Sequence, residues 1–247
     1  MDLDFRDAGH LPNRRPAGDH ADPDELPRQR AGVTPQMHGR YPDFDVLAHA
    51  DHWDEMTRRV VFDRVENVPP FRFFDEREQR TLIAFCDVVT DQNRAPRIPV
   101  LAYVDEKLCN GTLDGWQYAD MPDDRETWRL VARGLDESAR GEWRAPTFAD
   151  APFSVQCDIV GHFAGGKLRG PTWQQLNVSR AWGVVMRSVL AALYAHPWAW
   201  NEIGFGGPAY PRGYAAFGSP GLGQEAESWE GREAVHRDPA RQGPAPE

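Results

Sequence analysis

The chain has 247 residues, of which 40% are hydrophobic and 27% are charged, and this composition is typical of a globular protein with one substantial core or two small ones. Its 38 acidic and 28 basic residues give a formal net charge of −10, which disfavours nucleic-acid binding over a broad surface. The longest apolar stretch, residues 189–195, is far shorter than the roughly 20 residues that span a bilayer, so no transmembrane helix is expected.

The cysteines and the first arginine pair bear on the cellular compartment. Cys86, Cys109 and Cys157 are odd in number and far apart, so neither a disulfide framework nor a C-x-x-C site is expected. We expect buried thiols in a reducing compartment instead. Arg14-Arg15 opens like a twin-arginine export signal, but residues 16–20 supply none of the apolar core of about 7 to 15 residues that such a signal needs. A cytoplasmic location is therefore expected.

The two ends of the chain differ in composition from its middle. Residues 1–40 mix charges and prolines with isolated apolar residues, so burial cannot offset their ordering entropy, and a flexible or partner-ordered N-terminal arm is predicted. Residues 224–247 are predicted to form a polar C-terminal tail. Residues 41–223 contain no alternating run long enough for a sheet and are predicted to form one helical domain.

Two helical patterns precede residue 91. A weak one over residues 51–64 places Trp53, Met56 and Val60 on one side and is predicted to pack at the edge of the core. A stronger one over residues 75–90 opens with Asp75 and Glu78 at capping-box spacing. Its predicted apolar face consists of Leu82, Phe85, Cys86 and Val89.

Three further helices are predicted between residues 98 and 166. The first covers residues 99–109, the second covers residues 123–141, and the third runs from Thr147 or Asp150 to residue 164. Pro99 suits a first helical turn, and Asp123 with Glu126 repeats the capping-box spacing. Asn110-Gly111 and Gly165-Gly166 supply the stops.

The strongest helical pattern covers residues 177–195 and predicts the central core helix. Its apolar stripe consists of Trp182, Val185, Met186, Val189, Leu190 and Leu193. His196-Pro197 is predicted to end it, because the residue before a proline is pushed out of the helical region. Together these patterns predict an all-α fold, a single bundle-like domain of about six helices with irregular tails.

Residues 196–214, which we call the aromatic segment, are unlike an ordinary surface loop. They combine five aromatic rings with three prolines and several glycines, which predicts a stiff, largely non-helical structure. Rigid aromatic and arginine side chains often dominate interface energetics, so a partner-binding surface is predicted here. Its candidate residues are His196, Trp198, Trp200, Asn201, Glu202, Phe205, Tyr210, Arg212 and Tyr214.

An alternative for the aromatic segment is that it folds back and its tryptophans complete the helical core. Both descriptions hold together if Trp198 and Trp200 point inward while Tyr210, Arg212 and Tyr214 face outward, since a tyrosine hydroxyl tolerates a wet boundary. The letters G-x-G-x-x-A at residues 204–209 match a dinucleotide fingerprint, but a helix precedes them and prolines follow, so this match is rejected.

Other catalytic and metal-binding patterns are weak. His162, His196 and Glu202 can be combined into a metal site on paper, but no H-E-x-x-H or paired E-x-x-H pattern supports it, and helix-end hydrogen bonds fit His196 and Glu202 better. His49 and His52 are interpreted as solvated. No G-x-S-x-G elbow or P-loop occurs. Asp114, Trp116 and Tyr118 are interpreted as an inter-helix loop packed on the core, with a secondary aromatic contact as the alternative.

Several strings of the sequence resemble one protein family. The string HPWAWNEIGFGGPAYPRGY after the helix RAWGVVMRSVLAALYA resembles the C-terminal part of the gluconate 2-dehydrogenase subunit 3 family. The similarity extends from about Tyr41 to Tyr214 and includes RYPDFDVL, RFFDEREQRTLIAFCDVV and DGWQYADMPDD.

The resemblance implies an all-helical, non-catalytic small subunit in a hetero-oligomer. Its implied partner is a flavoprotein of the glucose-methanol-choline type that oxidises sugars, sugar acids or glycosides, with FAD and the catalytic base in that partner. Many relatives carry a twin-arginine signal and pass electrons to a cytochrome subunit, whereas nothing apolar follows Arg14-Arg15 here. The alternatives are a self-contained helical metal-dependent enzyme and a non-redox interaction protein.

Overall fold

The computed structural model describes residues 46–92, 96–112, 114–115, 117–203 and 205–208, without the side chains of Ala48, His49 and His52. Within these residues the chain forms α-helices and short 3-10 helices and no strand, which confirms the predicted all-α class. The α-helices are α1 (Glu55–Glu66), α2 (Glu76–Val89), α3 (Val100–Cys109), α4 (Asp124–Gly141), α5 (Phe153–Ala164), α6 (Val178–Tyr194) and α7 (Pro197–Ile203). The predicted arm 1–40 and tail 224–247 lie outside the described residues.

The described residues divide into two compact units. The first unit contains residues 46–65, Pro96 and residues 197–208, and the second contains residues 66–92 and 97–196. None of the described helices combines the length and apolarity needed to cross a membrane.

The second unit is a bundle of α2 to α6. Helix α2 packs against α3, α4 and α5, helix α4 packs against α2, α5 and α6, and helix α6 packs against α3, α4 and α5. Each of these three helices therefore contacts three others of the bundle. The largest fully buried side chains are Trp128, Phe85, Phe148, Phe163, Leu82, Leu108, Leu135 and Ile159. A 3-10 turn over Trp173–Gln175 places the Trp173 ring 5.1 Å from that of Phe163.

Local capping signals determine where several helices begin. The Asp75 carboxylate accepts from the Glu78 backbone N–H, and the Glu78 carboxylate accepts from the Asp75 N–H, which confirms the predicted capping box of α2. Asp123 accepts from the Glu126 N–H at the start of α4. Helix α6 ends at Tyr194, with Ala195 as its C-cap directly before His196-Pro197, as predicted.

Two predictions, about the start of α5 and the buried face of α1, are wrong. Helix α5 begins at Phe153, because Thr147 and Asp150 hydrogen-bond to each other and form a turn that precedes the helix. In α1, Met56 and Val60 are 60% and 48% exposed, and Val61 is the buried residue.

The other differences concern α6 and the cysteines. The buried face of α6 is rotated from the predicted stripe, since Leu190 is exposed and Val184 is buried. Of the described thiols, Cys86 is buried, whereas Cys109 is half-buried and Cys157 is exposed, so the expectation of three buried thiols is wrong. Burial raises the pKa of the Cys86 thiol well above its ordinary value.

Candidate partner-binding site

The aromatic segment begins with a helix rather than a loop. Pro197 opens α7 directly after His196, and a proline is well suited to a first helical turn because its missing N–H has no partner there in any case. Helix α7 continues to Ile203. The prediction that the segment is largely non-helical is therefore wrong for residues 197–203, and the reason is that glycines begin only at residue 204.

Helix α7 is attached to the 3-10 helix Val46–His52 by a buried hydrogen bond. The Asn201 carboxamide oxygen accepts from the Val46 backbone N–H at 2.8 Å, and both residues are buried. The N–H at a helix start has no partner within its own helix, so this carboxamide acts as a cap supplied by a distant part of the chain. The bond fixes α7 against the beginning of the described chain.

A small hydrophobic core surrounds this hydrogen bond. Trp200 is buried with Val46, Ala50, Trp53 and Val61 in one cluster. Leu47 and Phe62 pack against the cluster from its edge. Residues at the two ends of the described chain therefore share one small core, to which Trp200 contributes from α7.

The backbone after α7 folds onto the same core. The Phe205 N–H donates to the Trp200 carbonyl at 2.9 Å, and the two rings meet edge to face with centroids 5.6 Å apart and an interplanar angle of 85°. Gly207 has φ +81°, and a Cβ atom there would lie 2.8 Å from Val46 Cγ2 and 3.0 Å from Trp53 Cζ2. This position therefore requires glycine for its backbone conformation and for its close packing.

The candidate residues of the aromatic segment differ in their exposure. His196, Trp200 and Asn201 are buried, Trp198 and Glu202 are half-buried, and Phe205 is 38% exposed. The structure thus brings Trp200 and Asn201 together with Val46, and it places the Phe205 ring against that of Trp200. Tyr210, Arg212 and Tyr214 lie outside the described residues. The partner-binding role of all nine remains a prediction.

The loop after α3 takes part in a charged network. Asp114 pairs with Lys107 at 2.6 Å and with Arg187 at 2.7 Å, and the hydrogen bond from Lys107 is the main cause that lowers the pKa of Asp114. Burial raises the pKa of Asp124, the first residue of α4. Tyr118 lies under the Arg180 guanidinium, 4.7 Å from ring centroid to Cζ. Trp116 lies outside the described residues.

The histidines considered for a metal site have other surroundings. The His162 ring packs on the Trp143 ring with centroids 5.3 Å apart, and the His196 ring lies 6.3 Å from that of Tyr103. In the part of the chain that the structure describes, no group of three His, Cys, Asp or Glu side chains is arranged to hold a metal ion. The side chains of His49 and His52 are not among those described.

Sequence reasoning missed a cleft between α2 and α4. It is lined by the arginines Arg77, Arg129 and Arg133 and by the acids Asp75, Glu78 and Asp136. The spacing of Arg129 and Arg133, four residues apart on one helix, is the signal that could have indicated it. Which of these charges remain available depends on contacts between helices, and these are not visible in the sequence.

A comparison with protein-family models identifies the chain. The model described as gluconate 2-dehydrogenase subunit 3 matches residues 76–207, which is more than half of the chain and extends from α2 to Gly207 of the aromatic segment. The comparisons with curated proteins and with solved structures each gave no match. The matching description is that of an accessory subunit of a dehydrogenase complex. The chain therefore belongs to the gluconate 2-dehydrogenase subunit 3 family.

Proposed function

We propose that this subunit binds and stabilises a flavin-dependent oxidoreductase of the glucose-methanol-choline type that acts on sugars, sugar acids or glycosides. In this proposal the small subunit is not catalytic. FAD and the groups that perform hydride transfer belong to the large subunit, and the complex is cytoplasmic. Binding only the folded partner would stabilise that partner by mass action.

The observation that carries the proposal is the attachment of the aromatic segment. This segment carries the resemblance to the family, and its first helix is anchored by the Asn201 hydrogen bond and by burial of Trp200. A surface that is already ordered loses little conformational entropy when it binds. Ile203 and Phe205, which are 48% and 38% exposed, lie at the end of this anchored helix.

The burial of the candidate residues suggests a division of roles. We assign His196, Trp200 and Asn201 to holding the segment in place, because their side chains are buried in the subunit itself. We assign contact with the large subunit to Trp198, Glu202 and Phe205, together with Tyr210, Arg212 and Tyr214. In this assignment most of the binding free energy comes from aromatic and arginine side chains, the residue types that often dominate protein interfaces.

Co-expression tests the proposal. The chain is expressed with a glucose-methanol-choline type flavoprotein encoded beside it, and the complex is followed by size-exclusion chromatography with a flavin absorbance trace. We expect co-elution, with less soluble flavoprotein when the small subunit is omitted. If the chain elutes alone while the flavoprotein is fully active and soluble without it, the proposal fails.

The same material separates the alternatives. A self-contained metal-dependent enzyme would retain metal through purification, and the isolated chain would turn over a substrate without help. A non-redox interaction protein would elute with a partner that has no flavin absorbance. Metal analysis and activity assays on the isolated chain therefore accompany the chromatography.

A further inference from the structure

The cleft between α2 and α4 has an unusual set of charges. Its volume is about 150 Å³, below the roughly 300 to 1,000 Å³ of pockets that bury a cofactor or a drug-sized ligand, so it suits a small chemical group. Three guanidinium groups and three carboxylates line it. Their net charge is close to zero, so the ligand class depends on which of them are already engaged.

The three carboxylates of the cleft are engaged within the subunit. Asp136 is buried and accepts from the Thr81 hydroxyl at 3.0 Å and from the Phe148 N–H at 3.1 Å. Asp75 and Glu78 bind each other's backbone N–H groups in the capping box of α2. These acids therefore complete the fold and leave few oxygens to bind a cation.

Two of the three arginines are also held in place. Arg77 donates from Nε and from a terminal nitrogen to one Asp136 oxygen at 3.0 and 2.9 Å. Arg129 lies over the Phe73 ring at 4.5 Å, and its Nε is 4.0 Å from Glu78. Both side chains remain partly exposed to the cleft. Their positions are fixed by the fold before any ligand arrives.

Arg133 is the exception. Its side chain is exposed and lines the cleft, and it makes no hydrogen bond, ion pair or ring contact with any residue that the structure describes. A planar guanidinium matches the geometry of a carboxylate, with two parallel N–H···O bonds. Arg133 can thus complete a carboxylate site whose other two guanidinium groups are preorganised.

We propose that this cleft binds a carboxylate presented by an acidic side chain of the partner subunit. A solvent-exposed ion pair changes an equilibrium constant by about fivefold or less, so a free carboxylate would bind weakly at these partly exposed arginines. A carboxylate on a docked protein binds more strongly, because docking raises its effective concentration at the cleft and excludes water around the ion pair. The partner as source rests on the proposed function, whereas the carboxylate chemistry of the cleft does not.

The first experiment tests the chemistry on the isolated chain. A blocked tetrapeptide of alternating Asp and Glu residues is titrated by calorimetry at about 10 mM salt, where screening is weak, and its Asn and Gln counterpart serves as the neutral probe. We expect the acidic peptide to bind, Arg133→Gln to weaken binding about threefold to fivefold, and Arg59→Gln to change it less than twofold. Arg59 is the matched control because it is an exposed arginine of α1 outside the cleft.

The outcomes of this titration are decisive. No binding of the acidic peptide, equal binding of the neutral peptide, or equal losses in the Arg133→Gln and Arg59→Gln variants would each overturn the carboxylate site. Acetate and gluconate are titrated to test whether the carboxylate comes from a small molecule. If either binds as tightly as the peptide, the assignment of the carboxylate to a polypeptide is overturned. Melting temperatures of the variants, measured in parallel, should equal that of the wild type because Arg133 has no described contact to lose.

The second experiment uses the complex. Arg133→Glu should weaken the affinity for the flavoprotein at least tenfold, and this loss should decrease as the salt concentration rises. Arg59→Glu should leave the affinity unchanged. Equal association of both variants would overturn the partner as source. If the wild-type chain forms no complex, the proposed function fails, and the peptide titration still decides the chemistry of the cleft.

Discussion

The carboxamide oxygen of Asn201 accepts a hydrogen bond from the backbone N–H of Val46, 155 residues earlier in the chain, at 2.8 Å. Asn201→Ala would leave this buried N–H without an acceptor and should lower the free energy of unfolding of the first unit by about 1 to 3 kcal/mol. Hydrogen exchange of the Val46 amide and chemical denaturation measure the effect. Asn110→Ala, which removes an exposed hydrogen bond to Arg72, should cost about 1 kcal/mol or less. Equal losses in both variants would contradict the role of burial.

Asp105 fixes the chain that leads into α2. Its buried carboxylate accepts hydrogen bonds from three consecutive backbone N–H groups, those of Arg72, Phe73 and Phe74, at 2.7 to 3.0 Å. Asp105→Ala would orphan all three donors and should lower the free energy of unfolding by at least about 3 kcal/mol. Asp105→Asn keeps one acceptor oxygen and should lose less. Urea denaturation checks this order, and the exposed Asp158→Asn should be close to neutral.

Gly134 permits the close approach of Trp173 to α4. A Cβ atom at this position would lie 2.6 Å from Trp173 Cε2, and the ring is held by its N–H donating to the Ser138 hydroxyl at 2.9 Å. Gly134→Ala should therefore destabilise the protein by about 1 to 3 kcal/mol through overpacking. Gly183→Ala is the matched control, because nothing lies within 4 Å of its Cβ position in α6 and helix propensity should raise stability by up to about 1 kcal/mol. Thermal melts measure both effects. A higher melting temperature for both variants would contradict the close packing of Trp173 on Gly134.

Asp87 makes stability depend on pH. Burial raises its pKa from the ordinary 3.8 to about 6, and the Arg97 guanidinium at 2.7 Å offsets only part of that increase. Between pH 4 and 6 the folded state therefore binds this proton more often than the unfolded state, so the group's contribution to stability falls as pH rises. Asp87→Asn should remove this fall and gain about 1 to 3 kcal/mol relative to wild type at pH 7. Urea denaturation from pH 4 to 7 measures the free energy of unfolding of both proteins. If that energy falls with pH as steeply in the variant as in the wild type, the role of Asp87 is contradicted.

Association with the large subunit should depend on the residues of the aromatic segment that we assign to that contact. Phe205→Ser and Arg212→Ala should each weaken binding by about 2 kcal/mol, whereas a substitution of His49 should not. Trp200→Ala should weaken binding too, but together with a loss of stability of about 3 to 5 kcal/mol because its ring is buried. Affinity measured beside the melting temperature separates the two effects. Unchanged affinity in Phe205→Ser and Arg212→Ala would place the interface elsewhere.

The features that the sequence predicts correctly are those with local causes. The capping box of Asp75 and Glu78 spans four residues, and the end of α6 depends only on the proline at position 197. Each signal is contained in a few consecutive side chains, so no knowledge of the remaining chain is needed. The all-α class follows from the sum of such signals.

The errors about which side chains are buried occur where distant residues decide the outcome. Met56 and Val60 of α1 repeat at helical spacing, yet Val61 is buried because its cover, Trp200, comes from the other end of the described chain. The buried roles of Asp105 and Asp136 likewise have no sequence signal, since their donors lie on other segments. The anchored part of the aromatic segment could therefore be located from its composition, but which of its side chains are buried could not be predicted.

The bond between Asn201 and Val46 has a consequence for biosynthesis. At about 5 to 20 residues per second, the ribosome needs roughly 8 to 30 s to add the intervening stretch. During that interval the apolar side chains of Trp53 and Val61 have been made but lack the indole that later covers them. The nascent chain therefore exposes these apolar side chains for longer than most small domains need to fold, and exposed apolar surface favours aggregation.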